Sequence, residues 1–412
     1  MSGIFPLPED PIVEEIRAIA ARLEFAKRYR ELDRSPAFPW KEFRAMGDAG
    51  LLGLSMHPAF GGRGLTLPRV GAALFHLAYL GGTTFSKIAL QPEFSSVLAD
   101  HGSSTLLDAW FRPLVRGQRL IANQVTEPTA GSDAAAIQLS AVRDGDHYLL
   151  TGTKSEVAFG LDAHAAIVYA KVPSEGGRGA ISAFLVPQDL PGVRRVPGEG
   201  DLGERWQRRG SVEYDRVEVP EDHRIGEEGH AFRYVLHELT RERALLAAIY
   251  LGVARASFDE TVRFVGDRKA FGRPISAQEG VAFPLVEDAA RLEAAWQLVL
   301  RALGSLEHEE PTATAAAALA KWMAAEVALQ AIDHAIQFHG GRGYSQSLVH
   351  EQRWRDVRSG KIAHGTTEIM RLVAARHLWP TRTDQSSHAS TPGASSAARA
   401  SVDADPSRPS QL

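Results

Sequence analysis

Cysteine is absent from the 412 residues of this chain. The absence excludes a disulfide framework, a thiolate nucleophile and any metal site or cluster that needs cysteine ligands. A strong excess of one charge is also lacking, because the formal net charge is only −4. Nothing in the charge balance therefore favours nucleic acid or an anionic membrane as a partner.

Long apolar runs are lacking as well. Even residues 244–253 are flanked by arginines, and residues 1–10 meet acidic side chains early without the apolar core of a signal peptide. We therefore expect a soluble cytoplasmic protein with no nucleic-acid partner and no membrane partner.

The periodicity of apolar residues divides the chain into three parts. Helical spacing predicts an N-terminal α-helical domain over residues 1–119. Short β-branched runs around the Asp144-Gly145 turn signal predict an antiparallel barrel or sandwich over residues 120–228. Long helical segments at 232–265, 281–306 and 311–338, with a last helix from 367, form the third part, residues 229–380. Residues 381–412 have almost no large apolar side chain, which predicts a disordered tail.

One loop has the composition of a binding loop. Residues 125–133 place Thr, Ser and Gly around a single proline. Such a loop turns, and its free N–H groups suit a phosphate or the polar edge of a heteroaromatic ring. An ordinary Gly/Pro loop is the alternative.

Glu242 interrupts an apolar stripe. Its neighbours at helical spacing are apolar, so burial should raise its pKa unless an arginine meets it. Arg241 and Arg243 are adjacent in sequence but project to other helix faces. The alternative is a glutamate that reaches solvent or pairs with an arginine of another element. The neighbours at helical spacing are Leu239, Leu245, Leu246 and Ile249.

Four motifs in order resemble the acyl-CoA dehydrogenase family of flavoproteins, over about residues 10–380. They are residues 125–133 (VTEPTAGSD), 268–274 (RKAFGRP), 337–344 (QFHGGRGY) and 364–368 (HGTTE). The resemblance implies an α+β multidomain fold with an N-terminal helical domain, a middle antiparallel β-barrel and a C-terminal four-helix bundle. It also implies FAD-dependent α,β-dehydrogenation of an acyl thioester, in which a base removes the Cα proton while hydride passes from Cβ to flavin N5.

The position of the base distinguishes groups within the family. Most members carry the catalytic glutamate immediately before the Gly-Thr of the last motif, where this sequence has His364. A smaller group, including isovaleryl-CoA and long-chain dehydrogenases, has a Glu-Arg pair on an earlier helix, which is Glu242-Arg243 here. The resemblance therefore favours Glu242 as the base and Arg243 as a substrate contact. His364 is the competing base, and its backbone N–H is expected to donate to the thioester carbonyl.

The same resemblance implies a flavin site with departures from the family pattern. Ser132 would also meet the pantetheine arm, and Arg268 and Phe271 would reach the FAD of a neighbouring subunit. Glu156 and Ala158 stand where an aromatic residue and a threonine are usual, and Glu279 replaces a glutamine, so altered flavin reactivity is an alternative to neutral drift. The remaining implied FAD contacts are Val125, Thr126, Gly131, Gln337, Gly340, Gly341, Thr366 and Glu368.

The leading hypothesis is thus a homotetrameric or homodimeric dehydrogenase of an acyl-CoA or acyl-ACP (acyl carrier protein), in fatty acid or specialised metabolism. An electron-transferring flavoprotein would accept its electrons. A flavin-dependent oxidase or monooxygenase of the same fold is the second hypothesis, motivated by the unusual flavin loop. A non-catalytic flavin-binding homologue is the third.

Overall fold

The computed structural model describes residues 7–173 and 179–379. The predicted disordered tail, residues 381–412, lies outside the described residues.

Helices form the first part of the chain because apolar residues recur on one face. In the first helix, Ile12, Ile16 and Ile19 are buried while the intervening glutamates are exposed. The helices are α1 (Ile12–Arg22), α2 (Phe25–Arg34), α3 (Trp40–Asp48), α4 (Leu67–Ala89), α5 (Ser96–His101), α6 (Ser104–Leu106) and α7 (Arg112–Val115).

Helix α4 bends at two consecutive glycines. Gly82 has a φ of 63° and a ψ of −161°, a conformation that almost only glycine adopts. A Cβ atom at this position would lie 2.3 Å from the ring of Tyr29. Beyond the bend, the ring of Phe85 stacks on Phe25 at a centroid distance of 3.8 Å. The bend therefore positions the last turn of α4, which contains Lys87.

The middle part is an eight-stranded sheet in which β6, β7, β3, β2, β4, β5 and β8 follow one another and β1 pairs with β4. The Asp144-Gly145 signal lies in the predicted tight turn, where Asp144 pairs with His147. The strands are β1 (Ile121–Gln124), β2 (Ser140–Asp144), β3 (His147–Val157), β4 (Ala165–Val172), β5 (Ala180–Pro187), β6 (Val193–Pro197), β7 (Gly210–Pro220) and β8 (Arg224–Ile225).

The predicted fold class is confirmed, with one correction to the sheet. The expectation of a purely antiparallel barrel is wrong, because β4 pairs in parallel with β1 and, through Ser140 and Lys171, with β2. The chain between β1 and β4 contains the whole β2–β3 hairpin. A connection of that length allows a parallel pair, whereas a tight turn would require an antiparallel one.

The last part is again helical, and its three long helices match the predicted segments to within two residues. Helix α11 was not predicted, because its sequence is mostly charged and its buried side chains include the polar residues His350, Gln352 and Asp356. The elements are α8 (Ala231–Asp267), β9 (Lys269–Ala270), β10 (Arg273–Pro274), α9 (Glu279–Glu307), α10 (Ala313–Phe338), α11 (His350–Arg358) and α12 (Thr367–Leu378).

Helix α10 is long and apolar enough, by length and composition, to cross a membrane. The expectation that no such stretch exists is therefore wrong for this helix. In the fold, 61% of its most apolar window is buried, and the helix packs against α8, α9 and α12. That is the environment of a core helix, in which alanines allow close approach of the neighbouring helices.

We expect Gly82→Ala to lower the free energy of unfolding by about 2–5 kcal/mol, from backbone strain and collision with the ring of Tyr29. Gly304→Ala is the matched control, because a Cβ atom there would meet nothing within 4 Å in helix α9. Alanine should stabilise that helix by up to about 1 kcal/mol. Urea unfolding followed by tryptophan fluorescence measures both, and equal effects of the two substitutions would contradict the assigned strain.

Candidate active site

A cavity of about 1570 Å³ lies where the three parts of the chain meet. Its walls come from the end of α4, from β1 and the two loops near it, from α8, and from the turn before α12. The structure brings together at this cavity the following residues that the sequence predicted: Val125, Thr126, Gly131, Ser132, Glu156, Ala158, Glu242, Arg243, His364 and Thr366.

Glu242 lies on α8 at the wall of the cavity and is only 1% exposed. Burial raises the pKa of its carboxyl well above the usual range, and the carboxylate of Glu238, one helical turn earlier, raises it further. Oε1 of Glu242 has no hydrogen-bond partner among the described residues. The predicted apolar setting of this glutamate is confirmed, with the addition of a second buried acid.

His364 is the nearest polar neighbour of this carboxyl, with Nε2 lying 3.3 Å from Oε2 of Glu242. Burial, followed by the charges of Lys87, Lys321 and Arg243, holds the pKa of the imidazole well below its usual range. The contact therefore joins a carboxyl group to a neutral imidazole and is not an ion pair. The ring also stacks on Phe94, at 5.5 Å between centroids.

Two cationic side chains hold the backbone around His364. The Nε of Arg243 donates to the His364 carbonyl at 2.9 Å, and Nζ of Lys321 donates to the Gly365 carbonyl. His364 itself has a φ of 57°, so its backbone is left-handed. These two bonds hold the peptide units that follow His364 in place.

Glu238 was missed by the sequence analysis, although its spacing of four residues from Glu242 was the available signal. It is 1% exposed, and burial raises its pKa to about 8. Nδ2 of Asn123 donates to it at 2.7 Å and the N–H of Val97 at 3.3 Å. Asn123 lines the cavity, so Glu238 lies directly behind the cavity wall.

Glu127 holds the loop at residues 125–133 in place. Its carboxylate accepts the N–H groups of Gln138 and Leu139 at 2.6 and 3.0 Å. Nζ of Lys154 donates to the same carboxylate at 2.8 Å and to the Val125 carbonyl at 2.9 Å. Burial lowers the pKa of Lys154 to about 8. The apolar pattern of the sequence does not predict this pair, since both residues are charged and lie outside it.

Glu156 forms an ion pair with Arg209, at 2.9 Å, in the second loop of the cavity wall. Arg209 also contacts Asp201 at 2.7 Å. The charge of Glu156 is therefore compensated by its neighbour. This weakens the argument that an unpaired carboxylate alters flavin reactivity here.

The residues at this cavity fit FAD. A volume of about 1570 Å³ exceeds the range of roughly 300–1,000 Å³ that a single drug-sized ligand needs, so the space suits a dinucleotide together with a thioester. A Cβ atom at Gly131 would meet nothing within 4 Å, which leaves the backbone of that loop open to a ligand. Val125, Thr126, Gly131 and Ser132 would hold the ring and the pyrophosphate.

A second set of predicted cofactor residues does not line the cavity, and each of them is exposed in the single chain. Phe271, at the tip of the β9–β10 hairpin, is 96% exposed. The set comprises Arg268, Phe271, Glu279, Gln337, Gly340, Gly341 and Glu368.

Comparison with known proteins gives a consistent result over most of the chain. The N-terminal, middle and C-terminal domains of acyl-CoA dehydrogenase match residues 9–118, 122–217 and 229–379. A probable acyl-CoA dehydrogenase of Bacillus subtilis (strain 168) is 33% identical over 378 residues, which are 90% of this chain and 98% of the relative.

Solved structures give the same result. Butyryl-CoA dehydrogenase from Megasphaera elsdenii superposes with a TM-score of 0.83 at 26% identity, covering 90% of this chain and 99% of that one. A chain from a structure of the electron transferring flavoprotein of Acidaminococcus fermentans gives 0.84 at 29% identity, covering 91% and 100%. With all three domains matched in order, the chain belongs to the acyl-CoA dehydrogenase family and is an FAD-dependent oxidoreductase that acts on the CH–CH bond of an acyl-CoA.

Proposed function

We propose that Glu242 is the base that removes the Cα proton of the acyl thioester. The observation that supports this most strongly is a carboxyl group at the cavity wall that is 1% exposed and has an unpartnered oxygen, Oε1, within the described part of the chain. Burial makes the ionised carboxylate a stronger base than one in water, because the apolar surroundings favour its protonated form.

His364 is the weaker candidate for this role. Removing a proton would leave a charged imidazolium in a buried position that already faces Lys87, Lys321 and Arg243. Those charges oppose the proton, whereas the charge of Arg243 favours the ionised form of Glu242. We propose that His364 instead orients the carboxyl through its Nε2 and donates its backbone N–H to the thioester carbonyl.

Enolate charge that develops on the thioester oxygen during proton removal needs a fixed donor. The N–H of His364 is the proposed donor, and Arg243 and Lys321 hold the carbonyl groups of the two peptide units that follow it. Bound FAD supplies the acceptor for the hydride that leaves Cβ. The walls around Glu242 exclude water and hold Cα beside its Oε1.

Glu242→Gln is expected to slow reduction of the flavin by an acyl thioester by about 10²- to 10⁴-fold, the usual contribution of a general base. Anaerobic stopped-flow absorbance of the flavin measures this rate. His364→Gln, which keeps the backbone N–H, should slow flavin reduction much less. Glu218→Gln, at an exposed position of β7, is the matched control. Reduction that survives in Glu242→Gln and is lost in His364→Gln would transfer the role of base to the histidine.

The pH dependence should follow from the same pair of acids. The base must be ionised, and its pKa is raised, so kcat/KM should increase with pH up to that pKa. Because the Glu238 carboxylate raises this pKa, Glu238→Gln removes a like charge and should move the rising limb to lower pH. If Glu238→Gln retains as much FAD as the wild type and the rising limb of its kcat/KM profile does not move, another group titrates.

We also propose that the chain acts as a homodimer or homotetramer in which the exposed cofactor residues contact FAD held mainly by a neighbouring subunit. Support comes from the position of Arg268 and Phe271 away from the cavity and from an apolar surface beside them. Phe283 and Val286, at the start of α9, are 58% and 65% exposed.

Phe271→Asp is expected to reduce the mass of the assembly in light scattering and to weaken FAD retention by about tenfold or more, as loss of an interface anchor does. Val142→Asp is the matched control, because Val142 is 48% exposed but lies on β2, away from this surface. Unchanged mass and FAD content in Phe271→Asp would contradict the assignment.

An electron-transferring flavoprotein is the proposed electron acceptor, and an acyl carrier protein is the proposed alternative to coenzyme A as carrier of the acyl group. The ion pair of Glu156 with Arg209 favours this acceptor over oxygen, since it weakens one of the observations that motivated oxidase chemistry. We place the reaction in the cytoplasm.

A further inference from the structure

Three polar side chains interrupt the otherwise largely apolar wall of the cavity. Lys87 and Gln91, at the end of α4 and just after it, line the cavity and are 3% and 0% exposed. Asn123 lines it from β1. A purely aliphatic acyl group would offer no hydrogen-bond partner to the amides of Gln91 and Asn123, which is unfavourable.

In the two amide side chains, the N–H groups are bound within the protein and the oxygen atoms are not. Nδ2 of Asn123 donates to the Phe94 carbonyl at 3.2 Å and to Glu238 at 2.7 Å, which fixes the orientation of the amide. Nε2 of Gln91 donates to the Lys87 carbonyl at 3.2 Å. Oδ1 of Asn123 and Oε1 of Gln91 are both buried and without a hydrogen-bond partner in the described part of the chain.

Buried hydrogen-bond acceptors usually have a donor as partner, and a ligand with a donor group would supply one to these two amide oxygens. We propose that the acyl group of the substrate carries a hydrogen-bond donor, a hydroxyl or an ammonium group, which binds the amide oxygens of Gln91 and Asn123. The proposal rests on the proposed function, because it places the thioester at Glu242.

A carboxylate at the end of the acyl group fits this wall less well. Lys87 is the only cation among the three polar groups, and it is already paired with Glu204 at 2.5 Å. Glu238 and Glu242 lie near Asn123, so an added anion would face further acids. A hydroxyl or an ammonium group meets oxygen acceptors instead, and an ammonium would also be favoured by the acids.

The spacing of Glu238 and Glu242 along α8 guides the choice of chain length for the test substrates. Asn123 binds Glu238, which lies one helical turn, about 5.4 Å, from Glu242. In a 5-hydroxypentanoyl group, the hydroxyl oxygen is four bonds from Cα, which is a comparable length. Hexanoyl has the same number of chain atoms without the donor and is therefore the matched comparison.

The test is anaerobic flavin reduction by hexanoyl-CoA, 5-hydroxypentanoyl-CoA, 5-aminopentanoyl-CoA and glutaryl-CoA, with the holoenzyme. We expect kcat/KM for the better of the hydroxyl and amino compounds to exceed that for hexanoyl-CoA by about tenfold or more, and the better of the two identifies the donor. Glutaryl-CoA should be the poorest substrate.

Gln91→Met and Asn123→Leu keep the size of the side chains. Each should bring the ratio of kcat/KM for the better donor-bearing thioester to kcat/KM for hexanoyl-CoA towards one. Gln118→Met, at an exposed glutamine outside the cavity, should leave it unchanged. Because the compared substrates share carrier, flavin and base, the ratio is insensitive to a general loss of activity in a variant.

The outcomes separate this inference from the proposed function. Reduction by hexanoyl-CoA at an equal or higher kcat/KM than the hydroxyl and amino compounds, or a preference for glutaryl-CoA, would overturn the inference while leaving the dehydrogenase intact. A ratio that both cavity variants leave unchanged would overturn the assignment to Gln91 and Asn123. No reduction by any of the four thioesters would count against the proposed function itself, and the inference would fall with it.

Discussion

Glu242 and Glu238 are buried together on one face of α8, one helical turn apart, with exposed fractions of 1% each. Two buried acids at this spacing repel each other when ionised, so each needs compensation from outside the helix. Glu238 receives it as hydrogen bonds from Asn123 and Val97. Glu242 receives it as the charges of Arg243 and, less closely, Arg241. The site therefore requires β1, the chain after α4, and α8 to be held in fixed relative positions.

A second buried network fulfils that requirement across the three parts of the chain. Asp356 on α11 accepts the hydroxyl of Tyr29 at 2.5 Å and the N–H of Glu204 at 2.6 Å. Glu204 in turn pairs with Lys87, which lines the cavity. Burial, followed by the charge of Glu204, raises the pKa of Asp356 to about 7. The bend in α4 at Gly82 lies against Tyr29, so the same network also determines where Lys87 and Gln91 enter the cavity wall.

The sequence predicts the elements that have regular periodicity and the loops that have a distinctive composition. The long helices of the third part, the Asp144-Gly145 turn and the buried setting of Glu242 follow from apolar spacing and turn chemistry. Helix α11 and Glu238 could not be found in this way, because their buried side chains are polar and are stabilised by partners from distant segments. The parallel pairing of β1 with β4 depends on chain connection, which local patterns do not contain. The roles proposed for the site residues from the resemblance stay predictions.

The identity of residue 364 follows from the charges around Glu242. A carboxylate at this position would be a third acid within reach of Glu238 and Glu242, and repulsion would raise the pKa of each further. A neutral imidazole 3.3 Å from Glu242 avoids that repulsion and still offers a polar contact to the carboxyl. Lys321 and Arg243 can then bind backbone carbonyls rather than neutralise a second acid. The buried carboxyl of Glu242 on α8 and a neutral histidine in the turn before α12 are therefore electrostatically compatible.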